Sequence, residues 1–154
     1  MSDMVGVVLT ANDSAAKFEL GSVYEAPTGK RYRYVKFDNG AGNVAAVAGN
    51  FAYVLAVSGA SAGETTTVTS DLSDSAGVGA GVFQTALTDG YYGWVQISGF
   101  ATLTTALTAG ADGNALTPVG STDGTLDVSA LVTDHICAIA IDASAKIVLL
   151  MGMG

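Results

Sequence analysis

Ser22-Val23-Tyr24-Glu25-Ala26-Pro27-Thr28-Gly29-Lys30-Arg31-Tyr32-Arg33-Tyr34-Val35-Lys36-Phe37 places two runs rich in β-branched and aromatic residues on either side of one tight turn. Proline presets φ for the first corner of such a turn, and glycine accepts the left-handed conformation of the second. The stretch therefore predicts a β-hairpin pairing residues 22–26 with 31–37. Successive strand side chains point to opposite faces, so Arg31, Arg33, Val35 and Phe37 share one face while Lys30, Tyr32, Tyr34 and Lys36 share the other.

The same grammar extends in both directions. Short runs of period two are separated by Asp38-Asn39-Gly40, Asp89-Gly90, Asp112-Gly113 and Asp123-Gly124, all reversal signals. Further strands are expected at 5–10, 17–20, 44–48, 51–58, 65–70, 82–87, 92–98, 101–104, 115–119, 136–141 and 146–151. The last two form a terminal hairpin through Asp142-Ala143-Ser144-Ala145. This pattern predicts an all-β chain: a compact antiparallel β-barrel or sandwich with hairpins, Gly/Ala/Ser-rich loops and little helix beyond one turn near 129–134. Residues 58–63 and 73–81 carry few large apolar groups and read as surface loops or inter-strand arms. Residues 1–12 read as an extended N-terminal arm and 13–154 as a single β domain, whose strands are too few and short for two cores.

Composition narrows the function. Of 154 residues, 49% are apolar and 13% charged, with 14 acidic against 6 basic groups and a formal charge of −8. Such a field repels phosphate backbones and anionic bilayers, which argues against nucleic acid or membrane as partner. The longest apolar run, 44–57, is interrupted by Gly49 and Asn50 and is shorter than the roughly 20 residues that span a bilayer. The N-terminus lacks the basic region of a secretory signal, so the expectation is a soluble protein made in the cytoplasm. A single cysteine, Cys137, allows no internal disulfide.

Three constellations stand out. Lys30, Arg31, Arg33 and Lys36 hold four of the six basic residues, either as a guarded edge strand or as a contact strip for an acidic protein surface. Tyr91-Tyr92-Gly93-Trp94-Val95-Gln96-Ile97-Ser98-Gly99 sets Tyr92 and Trp94 opposite Val95 and Ile97, as a core strand with an aromatic second face or as a stacking platform. His135 and Cys137 share a strand face at a separation too great for a nucleophile pair, and read as a core cysteine beside a partly exposed histidine. Gly77-Val78-Gly79-Ala80-Gly81 lacks the βαβ context of a dinucleotide site. The pairs Asp71/Asp74 and Asp123/Asp127 lack calcium-loop spacing and read as turn carboxylates. No catalytic, cofactor or metal site is expected, nor a small-molecule substrate.

Phe18-Glu19-Leu20-Gly21-Ser22-Val23, followed by Gly29-Lys30 and Tyr32-Arg33-Tyr34-Val35, resembles the opening of the small decoration (cement) proteins of tailed-bacteriophage heads. The segment 90–99, and the ending in which Asp123-Gly124 precedes 136–141 and Val148-Leu149-Leu150, are similar to the same group. The resemblance touches about half the chain. It implies a virion structural protein, without catalysis, that binds the outer face of the major capsid protein shell, often as a homotrimer. On that reading Val5, Val7, Val8 and Leu9 are the first candidate contact, the strip Lys30, Arg31, Arg33 and Lys36 the second, and Tyr92 with Trp94 the third. The competing readings are a carbohydrate- or receptor-binding module of a fibre or spike, built on Tyr91, Tyr92 and Trp94, and a tail-tube or head-completion protein.

Overall fold

The computed structural model describes residues 6–56 and 66–153. The chain is all-β: β1 (Val23–Glu25), β2 (Arg31–Phe37), β3 (Phe51–Leu55), β4 (Thr67–Thr69), β5 (Ser75–Phe83), β6 (Tyr92–Thr102), β7 (Ala115–Thr117), β8 (Asp127–Val128), β9 (Ala138–Asp142) and β10 (Ile147–Met151). Among the described residues one 3-10 turn, Leu72–Asp74, is capped by the Asp71 carboxylate, which accepts from the Ser73 backbone N–H. The strands hydrogen-bond in the order β1-β2-β4-β3-β5-β6-β10-β9-β7-β8, and a further β2–β6 pairing closes β2, β4, β3, β5 and β6 into a ring. The β2–β4 pair is parallel, while the other pairings are antiparallel. The remaining strands β10, β9, β7 and β8 continue outward from the second half of β6 and fold against the same apolar core.

The hairpin that anchors the reading is present. Glu25 pairs with Arg31 and Val23 with Arg33, and the Gly29 N–H closes the turn onto the Ala26 carbonyl at 2.9 Å with φ +87°. The terminal hairpin pairs β9 with β10.

Four expectations need correction. Residues 73–81 do not form a surface loop: most of them belong to β5, which lies inside the sheet between β3 and β6. Two of its glycines, Gly79 and Gly81, are there because a side chain would collide. A Cβ on Gly79 would stand 2.8 Å from Phe51 Cζ and 3.1 Å from Cys137 Cβ. The strands expected at 92–98 and 101–104 are one, β6, in which Gly99 at φ +96° marks the change of partner from β2 to β10. No strand forms at 6–10, 17–20 or 44–48, where turns and bends carry the chain over the sheet. Residues 129–134 form a turn rather than a helix, with Asp134 Oδ2 accepting from the Ala130 and Leu131 N–H groups at 2.9 Å each. The expected loop at 58–63 lies outside the described residues.

Two apolar clusters hold the fold. The larger lies within the ring and under the extension, and includes Val35, Phe37, Phe51, Tyr53, Ile97, Leu116 and Val148. The smaller covers the opposite face of β2 and β6: Tyr32, Tyr34 and Trp94, roofed by Val7, Leu9, Phe18, Leu20 and Tyr24. Both faces of the central β2–β6 pair are thus buried by the chain itself.

Carboxylates organise the loops and set the acid limit of stability. Asp71 is held below the usual carboxylate range by the Ser73 hydroxyl and then the Gly42 N–H, Asp134 by the Leu131 and Ala130 N–H groups, and Asp142 by the Ser144 hydroxyl and the Ala145 N–H. A depressed folded-state pKa means that the unfolded chain takes up protons first as pH falls. The stabilisation is therefore complete above the unfolded carboxylate value near about 4 and is lost as pH drops through the lower folded values. Urea midpoints should be level between neutrality and the upper side of that value and fall below it; a midpoint rising on acidification would contradict these caps.

Candidate interaction surfaces

The N-terminal segment is strapped to its own domain. Asp13 exchanges two backbone hydrogen bonds of 2.9 Å with Tyr92, and its Oδ2 accepts the Tyr34 hydroxyl at 2.7 Å. Asp13 Oδ1 also lies 3.4 Å from Lys17 Nζ. Burial, foremost, pushes the Tyr34 phenol up to about 12, so it stays a neutral donor. Asn12 and Thr88 add a reciprocal pair at 3.0 Å each way. Of the arm residues singled out above, Val7 and Leu9 pack on the aromatic cluster, Val8 points outward, and Val5 lies outside the described residues.

The aromatic constellation is core. Trp94 is only 1% exposed, with its ring centroid 5.0 Å from that of Tyr34 and 5.4 Å from that of Phe18. Tyr92 stacks on Tyr34 at 6.3 Å. A sugar cannot reach the Trp94 face without displacing Phe18 and the rest of the roof, so the stacking platform loses its main ring.

The basic strip is divided by burial. Arg31 is exposed, Lys30 and Lys36 are half-buried, and Arg33 sits in a cleft with Val35, Val54, Val78 and Ala80. Desolvation lowers the Arg33 pKa, with Arg31 adding a smaller push in the same direction. Arg31 is the strip's one exposed charge, while Lys30, Arg33 and Lys36 are each half-buried.

Neither His135 nor Cys137 is arranged for nucleophilic chemistry. His135 Nδ1 accepts the Gly79 N–H at 3.2 Å, and burial pushes the Cys137 thiol up to about 12. The aspartates singled out for spacing serve as caps: Asp74 accepts from Ala41 N–H at 2.7 Å and Asp123 from Leu72 N–H at 2.8 Å.

A further surface, carried by none of these constellations, lies on the extension. Phe100 of β6 pairs across with Leu149 of β10, Leu149 with Ile139 of β9, and Ile139 with Ala115 of β7. This row crosses four strands on the face opposite the core, because Ala101, Val148, Leu150, Ala138 and Ala140 are the residues pointing inward. Ile141, Ile147 and Met151 extend it. Phe100 is 54% exposed, Met151 53% and Ile141 42%, enough to make the row an open apolar patch. A signal existed in the sequence. Residues 136–141 and 147–151 are continuous apolar runs, the mark of strands covered on both faces, and this chain covers only one.

No protein-family model, curated protein or solved structure matches this chain.

Proposed function

We propose that this chain is a virion structural protein of the decoration type, which binds the outer surface of a phage capsid and stabilises the shell of its major capsid protein. The observation that carries the reading is the exposed apolar row on β6, β10, β9 and β7, displayed on a scaffold whose core is packed without it. Large apolar patches on an ordered surface mark sites that neighbours cover. The resemblance in 18–35 and 90–99 supplies the kind of neighbour. Stabilisation then follows from linkage: a protein that binds the assembled shell and not its dissociated subunits shifts the equilibrium toward the shell.

The exposed Arg31, with the half-buried Lys36 at the other end of β2, adds positive charge that favours approach to an acidic capsid surface, which a chain of charge −8 otherwise opposes. Purified protein should co-sediment saturably with undecorated heads, and the double charge reversal Arg31→Glu, Lys36→Glu should lower occupancy about tenfold at low salt, with the gap narrowing as salt screens it. Absence of saturable co-sedimentation by the unaltered chain would overturn the reading, while unchanged occupancy of the variant would remove the strip from it.

A further inference from the structure

We infer that the cleft beside Phe100 is a recognition site for an acidic peptide segment, holding a Glu or Asp carboxylate at Lys30 and peptide N–H groups at the side-chain oxygens of Gln84 and Gln96. The inference rests on the decoration reading for the neighbour that supplies the segment, and on the cleft alone for its chemistry.

The cleft has a volume of about 350 Å³ and opens where β5, β6 and β10 meet, with Lys30, Gln84, Gln96, Phe100 and Ile147 among its walls. Ligand pockets run from roughly 300 to 1,000 Å³, so this one suits a single side chain with its peptide groups. The backbone puts Lys30 there. Arg31 pairs with Ser98, which sets Lys30 beside Gly99. A Cβ on Gly99 would stand 3.1 Å from Lys30 Cγ, so the missing side chain gives the lysine stem its path along β6. The ammonium has no ion-pair or hydrogen-bond partner among the described residues, on a chain carrying 14 acidic groups. Lys30 is the one ionisable group among the described walls, and a cation selects an anion.

The two glutamines decide which kind of anion. Gln96 is only 5% exposed, and its Nε2 donates to the Ser98 carbonyl at 3.1 Å and the Phe100 carbonyl at 2.9 Å. Two carbonyls at one end fix the amide's orientation, because only the NH2 can donate. Oε1 then receives no donor from the described residues, an acceptor left open in a nearly buried side chain. Gln84 repeats the arrangement: its Nε2 donates to the Val82 carbonyl at 2.9 Å, and its Oε1 receives no donor from the described residues. A sulfate ion would satisfy Lys30 but offer these oxygens no proton. An acidic residue within a peptide offers a carboxylate and N–H donors together. Position supplies the source. Phe100 and Ile147 are walls of the cleft and members of the apolar row, so a protein that covers the row brings its own chain to the cleft mouth.

Titration of the isotope-labelled full chain with N-acetyl-glutamate N-methylamide, followed at the side-chain amide signals of Gln84 and Gln96, tests the cleft without phage heads. Saturable shifts in the millimolar range are expected, at least about fivefold weaker with the glutamine analogue. They should vanish in Lys30→Met, which keeps the stem on Gly99 and removes the charge. Absence of saturable shifts, an equal response to the two compounds, or an undiminished response in the folded Lys30→Met variant would overturn the site. Tighter binding of glucuronate than of the peptide would give the cleft to an acidic sugar and overturn the peptide assignment. On undecorated heads, Lys30→Met should lower occupancy about tenfold. Unchanged occupancy by that folded variant would overturn the inference and leave the decoration reading standing. A chain whose cleft binds the peptide but which ignores heads would end the decoration reading alone.

Discussion

Gly81→Ala is expected to cost about 3 kcal/mol or more, a large share of the roughly 5–15 kcal/mol that holds a domain of this size together. Gly81 sits in β5 at φ +143°, a conformation closed to residues with a side chain. A Cβ there would stand 2.5 Å from the Gln96 carbonyl oxygen and 3.1 Å from Val95 Cβ. Both neighbours belong to β6, which is held on its other side by β2, so no cheap movement relieves the clash. Gly90→Ala is the control. Its φ is similarly positive at +80°, but nothing lies within 4 Å of the added methyl, and only the backbone cost of about 1–2 kcal/mol remains. Urea denaturation of the three proteins should place the midpoint of Gly81→Ala far below that of Gly90→Ala. Equal midpoints would mean that β5 does not pass through the sheet as described.

Trp94→Ala should destabilise by about 3–5 kcal/mol, the range for removing a large buried aromatic side chain. The indole is surrounded by Tyr34, Phe18 and Tyr24, and its loss opens a cavity under the N-terminal strap. Its Nε1 has no hydrogen-bond acceptor among the described residues, which offsets part of the benefit of burial. As the only tryptophan, Trp94 also reports its surroundings directly. Native emission should be blue-shifted and resistant to iodide, with no saturable change on addition of glycans. Emission at the wavelength of exposed indole in the folded protein would contradict the roofed cluster and restore the stacking platform.

The hairpin and all-β class were legible because Pro27-Thr28-Gly29 and the alternation in 31–37 are local signals, satisfied by local geometry. What failed was any inference that depended on who lies across the sheet. Gly77-Val78-Gly79-Ala80-Gly81 looks like loop because glycine usually buys freedom. In β5 it serves close approach, a reason visible only once Phe51, Cys137 and Gln96 are placed beside it. Residues 17–20 have strand composition, yet Phe18 and Leu20 are needed as a lid over Trp94 and Tyr34 rather than as a ladder. Period two puts Tyr92 and Trp94 on a shared face, but sequence alone does not tell whether that face is covered.

The apolar row illustrates the converse. In β9 the alternation of alanine and isoleucine invites the larger residues inward, whereas Ala138 and Ala140 face the tightly packed core and Ile139 and Ile141 face out. Alanine takes the inward positions of β9, while Leu116 of β7 and Val148 and Leu150 of β10 fill the core beside it. Period two identified the strand; deciding which of its faces met the core required the register with β7 and β10.

Co-sedimentation of the unaltered chain with undecorated phage heads tests the central claim most directly. Saturable binding at a fixed number of copies per shell, together with a rise in the temperature at which the heads come apart, is the predicted result. Heads that pellet without the protein and disassemble at an unchanged temperature would contradict it.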